Sequence, residues 1–304
     1  MLLIIEQILN GLQLGIMLFL MSAGLTLVFG IMQVINLAHG SFYMIGAYVG
    51  ATVTARTGSF ALGVLAALPA AALAGMLVEA LVLRRLYRKA HLDQVLATFG
   101  LIMFFNEATR IVWGRQPLYM DVPAWLAGSI ELIPGVPYPS YRLVVIAVGL
   151  LVGLLLYLLF THTRLGMQIR AGASNREMAG ALGVNIRLLY TLVFGLGTLL
   201  AGLAGVMAGP ILAVEAGMGE SILILTFVVI VIGGLGSVRG ALLGALLVGL
   251  VDTLGRAFLP SLLRLFLTAA VADGAAASLA SMSVYILMAA VLVWRPKGLI
   301  PAHG

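Results

Sequence analysis

Glu107 and Arg110 lie three residues apart, and Asp252 and Arg256 four apart, within long apolar stretches. Both spacings put the two charges on one face of a helix, where they neutralise each other. Glu79 and Asp273 complete the set of charges in such surroundings. An ionisable group in lipid is by default a functional candidate. Most of these, however, sit within a turn or two of the end of an apolar run, in reach of water. Self-neutralised pairs near an interface are therefore favoured over a proton relay, which would want an unpaired acid in mid-span. Enzyme chemistry finds no footing. There are no cysteines, so disulfides, thiol catalysis and cysteine metal sites are excluded. Lys89 precedes Ala90 and Lys297 precedes Gly298, and with only these two lysines no phosphate-binding loop of the G-x-x-x-x-G-K-[ST] type can be built. The histidines, His39, His91, His162 and His303, are scattered, with no H-E-x-x-H, and no G-x-S-x-G elbow occurs. No catalytic residue, metal or cofactor is expected.

The most informative polar stretch is 163–185. Ser174 or Asn175 can cap a short helix whose first turn holds Glu177, and Gly183 can end it at the position after the C-cap. On that helix Met178, Ala181 and Leu182 share one face. Such a helix suits a groove on a partner protein. It equally suits a lipid surface, where Arg170, Arg176 and Arg187 would meet anionic headgroups.

The elements that must position these residues follow from composition. Of 304 residues, 62% are hydrophobic and 9% charged, with a mean hydropathy of +1.15. Such a chain cannot clothe itself in polar surface, so a soluble fold is excluded. The expected class is an all-α polytopic membrane protein, a single transmembrane domain over 1–304. Apolar spans fall at about 8–29, 41–56, 60–83, 92–113, 141–160, 188–208, 222–234, 240–259 and 276–294. The expected count is eight or nine, fewer if 222–259 is one helix, and ten if 260–275 dips back into the bilayer. The N-terminus lacks the basic start and cleavage site of a signal peptide and is read as mature sequence.

The net charge of +6 points to topology rather than to nucleic acid. Basic residues gather at Arg84, Arg85, Arg88 and Lys89; at Arg164, Arg170, Arg176 and Arg187; and at Arg295 and Lys297. Placing these in the cytoplasm, together with Arg239, leaves Asp121, Glu131, Glu215 and Glu220 outside. The N-terminus is then external and the C-terminus cytoplasmic, in a bacterial inner membrane. Residues 114–140, with five prolines between Pro117 and Pro139 and with Trp125, Tyr119 and Tyr138, read as an irregular external lid. Residues 161–187 form a cytoplasmic connector.

Two polar, small-residue breaks interrupt the spans. One is Gln33-Val34-Ile35-Asn36-Leu37-Ala38-His39-Gly40, the other Gly233-Gly234-Leu235-Gly236-Ser237-Val238-Arg239-Gly240. Broken or re-entrant helices near 31–40 and 233–240 would bring backbone groups to a central path, and the pair hints at an internal repeat. G-x-x-x-G recurs at Gly11/Gly15, Gly46/Gly50, Gly149/Gly153, Gly205/Gly209 and Gly240/Gly244. These suit close helix packing within the chain, or contact with a second membrane subunit.

Four stretches resemble one family. Arg164-Leu165-Gly166, Arg170-Ala171, Asn175, Ala179 and Leu182-Gly183-Val184-Asn185 look like the cytoplasmic coupling segment of branched-chain amino acid ABC transporter permeases. Gly24-Leu25-Thr26-Leu27-Val28-Phe29-Gly30 with Asn36-Leu37-Ala38-His39-Gly40 and Gly46-Ala47-Tyr48 is similar to that family's N-terminal portion. Ile232-Gly233-Gly234-Leu235-Gly236-Ser237 with Gly240-Ala241 resembles its C-terminal half, and Arg295-Pro296-Lys297-Gly298-Leu299 its tail. Length and N-terminal pattern look closer to the shorter H-type subunit than to the M-type. Residues 260–281 match nothing in the family pattern.

The resemblance implies a binding-protein-dependent importer. This chain and an M-type permease would form the pathway, two cytoplasmic ATPase subunits would supply the energy, and an external binding protein would deliver leucine, isoleucine, valine or a related solute. It also moves the balance at 174–185 from lipid to ATPase docking. Ser174, Asn175, Arg176, Glu177, Met178, Ala179, Gly180, Ala181, Leu182 and Gly183 then form the coupling segment, with Glu177, Ala179, Gly180 and Gly183 at its core. A zwitterionic solute needs backbone or amide groups along its path, for which Asn36, His39, Gly40, Gly233, Gly234 and Gly236 are candidates. Asn36 and His39 could instead satisfy the broken helix's own backbone. A urea or short-amide importer, and a self-contained channel or secondary carrier, are the rival functions.

Overall fold

In lipid, a run of apolar residues must satisfy its backbone internally, so each forms a helix. The computed structural model describes residues 2–34, 36–87, 89–133 and 135–301; Ile35, Arg88, Pro134 and His303 lie outside the described residues. The helices are α1 (Leu2–Met32), α2 (His39–Thr57), α3 (Phe60–Val78), α4 (Arg84–Leu86), α5 (His91–Trp113), α6 (Ser140–His162), α7 (Arg164–Ser174), α8 (Arg176–Ala181), α9 (Ile186–Ala208), α10 (Met218–Gly233), α11 (Val238–Leu263) and α12 (Ala269–Trp294). A π-helical turn, Glu79–Leu83, joins α3 to α4.

The chain is 79% helical, an all-α polytopic membrane protein as expected. Among the described residues, seven helical stretches are long and apolar enough to cross a membrane: α1, Phe60–Leu86, α5, α6, α9, α11 and α12. The other two expected spans are α10, with only 16 residues, and α2, long enough but too polar. Residues 222–259 are two helices, not one. Residues 260–275 form no element of their own. There α11 runs on to Leu263 and α12 already starts at Ala269, because the Ala-rich sequence is a strong helix former. Arg264 closes the turn between them with a two-pronged contact to Asp273, Nη2 lying 2.9 Å from Oδ1 and from Oδ2.

Residue contacts group the chain into two compact units, each assembled from separated stretches. The first comprises Met1–Ser22, Ala124–Gly149 and Thr226–Gly304. In it, the expected irregular lid contains an antiparallel hairpin, β1 (Ser129–Ile133) with β2 (Val136–Pro139), in which Ile130 faces Tyr138. Prolines obscure β2 in the sequence, yet a strand with one unpaired edge accepts them. In the same unit, the break after α10 is a tight loop. Gly234 and Gly236 take φ values of 109° and 82°, and Ser237 caps α11 by accepting from the Gly240 amide at 3.1 Å.

The second unit comprises Ala23–Pro123 and Leu150–Leu225. At its centre α9, 78% buried over its apolar window, packs on α2 and α3 through small residues. A Cβ on Gly46 would stand 2.3 Å from the Gly202 carbonyl oxygen, and one on Gly75 would stand 2.1 Å from Thr198 Oγ1. By contrast α5, only 17% buried, leaves Leu96, Phe99, Met103, Phe104 and Ile111 exposed, a face suited to lipid.

Candidate functional site

The connector 161–187 folds as two helices in series where one was expected. Thr163 caps α7 by accepting from the Gly166 amide at 3.0 Å. Asn175 ends α7 and starts α8. Its Oδ1 accepts from the amides of Glu177 and Met178 at 3.1 and 3.0 Å, so Asn175, not Ser174, is the cap. Gly183 stands at φ 91°, its amide bonds the Gly180 carbonyl at 3.0 Å, and the Val184 amide bonds that of Ala179 at 3.1 Å. This is a Schellman ending, with glycine at the expected position. Two residues on, Asn185 caps α9 by accepting from Leu188 at 3.1 Å, so no slack separates α8 from α9.

The exposed face of α8 carries Met178 at 59% and Leu182 at 79% exposure. Ala181, Glu177, Gly180 and Gly183 are also exposed. Ala179 is different: it turns inward and is 3% exposed. Counted above among the core docking residues, it packs against its own chain.

The first break lies in the second unit. Gln33 takes a left-handed φ of 53° after Met32, ending α1. Asn36 Oδ1 accepts from the Ala38 amide at 3.1 Å, and the Asn36 carbonyl accepts from His39 at 3.3 Å, so Asn36 does hold the broken backbone. Asn36 and His39 are fully buried. From there α2 starts against the first turn of α10, where a Cβ on Gly40 would fall 2.2 Å from the Gly219 carbonyl oxygen. Beside this contact is a small, open cleft. Leu37, Met44 and Ile102 form its apolar wall, and Ser41, Asn106 and Glu220 its polar one. Asn106 Nδ2 donates to Glu220 Oε1 at 2.5 Å, joining α5 to α10.

Comparison with known proteins gives this architecture a family. The family model described as branched-chain amino acid transport system / permease component matches residues 7–293. The chain belongs to this family. The permease is 30% identical to the high-affinity branched-chain amino acid transport system permease protein BraD of Pseudomonas aeruginosa, over 97% of this chain and 95% of that one. It is 29% identical to LivH of Salmonella typhimurium, a permease protein of the same description, over 84% of this chain and 87% of the relative. A probable branched-chain amino acid transport permease of Methanocaldococcus jannaschii is 29% identical over 93% of this chain and 88% of its own. No solved structure matches.

The six path candidates in the permease fall into two different units. Gly40 borders the cleft, with Asn36 and His39 buried in the same break. Gly233, Gly234 and Gly236 belong to the other unit and meet the chain's own tail. There the Leu299 and Ile300 amides bond the Ile232 and Gly233 carbonyls at 2.9 and 3.0 Å, and a Cβ on Gly234 would stand 2.6 Å from the Ile300 oxygen. Sequence reasoning missed Ser41, Asn106, Gly219 and Glu220. Glu220 was placed in an external loop, whereas it lies in the first turn of α10. The Gly-Glu start of a short helix after an interrupted run was the one local signal for it.

Proposed function

We propose that the permease carries branched-chain or related hydrophobic amino acids as one half of a membrane pathway, paired with an M-type permease. Two cytoplasmic ATPase subunits drive it, and an external binding protein feeds it. It sits in the bacterial inner membrane with the connector 161–187 and the C-terminus in the cytoplasm. The observation that carries this is the α8 face. Leu182 and Met178 stand exposed on a helix capped at both ends and set directly on α9. A large apolar side chain held in water by a rigid helix is a docking anchor waiting for a groove.

The solute is inferred from the relatives' names and from the chemistry of the cleft. Leu37, Met44 and Ile102 suit an aliphatic side chain, and Glu220 beside Asn106 offers an acceptor for an ammonium group. ATP binding would draw the ATPases together, move α7 and α8, and switch the packed helices between discrete arrangements.

Replacing both anchors, M178E with L182E, tests the docking. Loss of one hot-spot side chain costs about 2 kcal/mol, or roughly thirtyfold in affinity, so the double variant should no longer co-purify with the ATPase. It should still insert into the membrane. Undiminished ATPase retention would show that the subunits meet elsewhere.

A further inference from the structure

Glu79 sits in the π-helical turn between α3 and α4 with no exposed surface, and its carboxylate gathers four donor contacts. Arg84 grips it with both prongs, Nε to Oε1 at 3.3 Å and Nη2 to Oε2 at 2.9 Å. Tyr87 donates its hydroxyl to Oε1 at 2.8 Å. Thr191, on α9, donates to Oε2 at 2.7 Å and accepts from Arg84 Nη2 at 2.8 Å. A hydroxyl has one hydrogen, so the contact from Thr191 to the Arg187 carbonyl, at 3.0 Å, is the weaker alternative. π-helical turns insert an extra residue into a helix and recur at functional positions. Here the turn brings Glu79, Arg84 and Tyr87 to one point on α9.

That point is the second turn of α9, directly after its cap Asn185 and hence after α8. The neighbouring residue, Tyr190, places its ring edge-on to Tyr87 with centroids 5.4 Å apart. Its hydroxyl reaches the Ile31 carbonyl at 3.4 Å, at the end of α1 where the break before Asn36 begins. One buried carboxylate thus stands between the docking helix and the broken segment that leads to the cleft.

We infer that Glu79, with Thr191 and Arg84, is the positioning group that transmits movement of α7 and α8 into the α1–α2 break, so that ATP binding at the ATPases becomes a switch of the path. This rests on the permease reading above. Arg84 reaches solvent but Glu79 does not, so separating the two would strand the carboxylate away from water, which holds the cluster in one geometry. It therefore moves as a block or lets go, which suits a switch between discrete states.

The test uses the complete transporter, permease pair, ATPases and binding protein, in liposomes with labelled L-leucine. The readout is ATP hydrolysed per leucine taken up. E79Q and T191V should each raise that ratio about tenfold, within the usual range of coupling between sites, while ATPase retention on the complex and binding-protein-stimulated hydrolysis persist. T191S, which restores the hydroxyl, should return the ratio to the wild-type value. Should E79Q fail to assemble, T191V decides, since it exchanges one hydroxyl for a methyl. An unchanged ratio in an assembled T191V complex would overturn the inference and leave the permease reading intact. Absence of ATP-dependent uptake by the wild-type complex would count against the permease reading itself.

Discussion

A methyl group is enough to disturb the contact between Gly46 and Gly202, because what it would strike is backbone, with no side chain to swing aside. Gly46→Val should therefore cost about 1–3 kcal/mol through overpacking and lower the unfolding temperature of the detergent-solubilised protein by several degrees. Gly100, on α5, has nothing within 4 Å of its would-be Cβ. Gly100→Ala should leave that temperature unchanged or raise it, as removal of a helix-interior glycine does. Equal losses from both would mean that the α2–α9 contact is looser than the structure has it. Local chemistry at this scale was legible: the polarity of Asn175 and the glycine at 183 announced both ends of α8. Pairs far apart in sequence were not. No periodicity links Asn106 to Glu220, or Glu79 to Thr191, because only the fold brings these helices together.

Elements show a similar division. Long apolar runs became helices almost where expected, since lipid leaves the backbone no other solution. The π turn was illegible, because the residues Glu79-Ala80-Leu81-Val82-Leu83 are equally content in an α-helix. The two breaks looked alike as sequences and proved different as structures. Around 33–38, a polar side chain holds the backbone and the next helix starts buried against α10. Around 233–237, glycines admit the tail, with Gly298 at φ 82° carrying it to within a Cβ's reach of Gly234. The tail should thus act as a clasp on its own loop. Truncation after Lys297 removes the two amides that bond Ile232 and Gly233, and amide hydrogen exchange in 233–240 should speed up by about tenfold, the loss of roughly one to two hydrogen bonds' worth of protection. Exchange at α8 should not change. Protection of 233–240 that survives the truncation would assign the loop's order to the glycine packing of Gly233 on Gly240 alone.

For the molecule as a whole, orientation decides whether any of these parts can serve. Eleven of the 17 basic residues fall on one side if Arg84, Arg85, Arg88, Lys89, Arg164, Arg170, Arg176, Arg187, Arg239, Arg295 and Lys297 are cytoplasmic. Loop bias of this kind sets topology. If α2 and α10 cross along with the seven long helices, nine passes put the first terminus outside, and the connector 161–187 and the last terminus inside. The absence of cysteine makes the matter directly measurable, because every introduced thiol is the sole one. Single cysteines at Ser174, Arg187 and Lys297 should resist a membrane-impermeant maleimide on spheroplasts and react once the membrane is opened. Those at Asp121 and Glu215 should react at once. If α10 failed to cross, three passes rather than four would separate the connector 161–187 from Lys297, and Ser174 and Lys297 would label differently. Labelling of Ser174 on intact spheroplasts would put Leu182 and Met178 out of reach of ATPases in the cytoplasm. A matched pair of protected sites, by contrast, puts the docking face, the Glu79 cluster beneath it and the tail clasp on the side where ATP is.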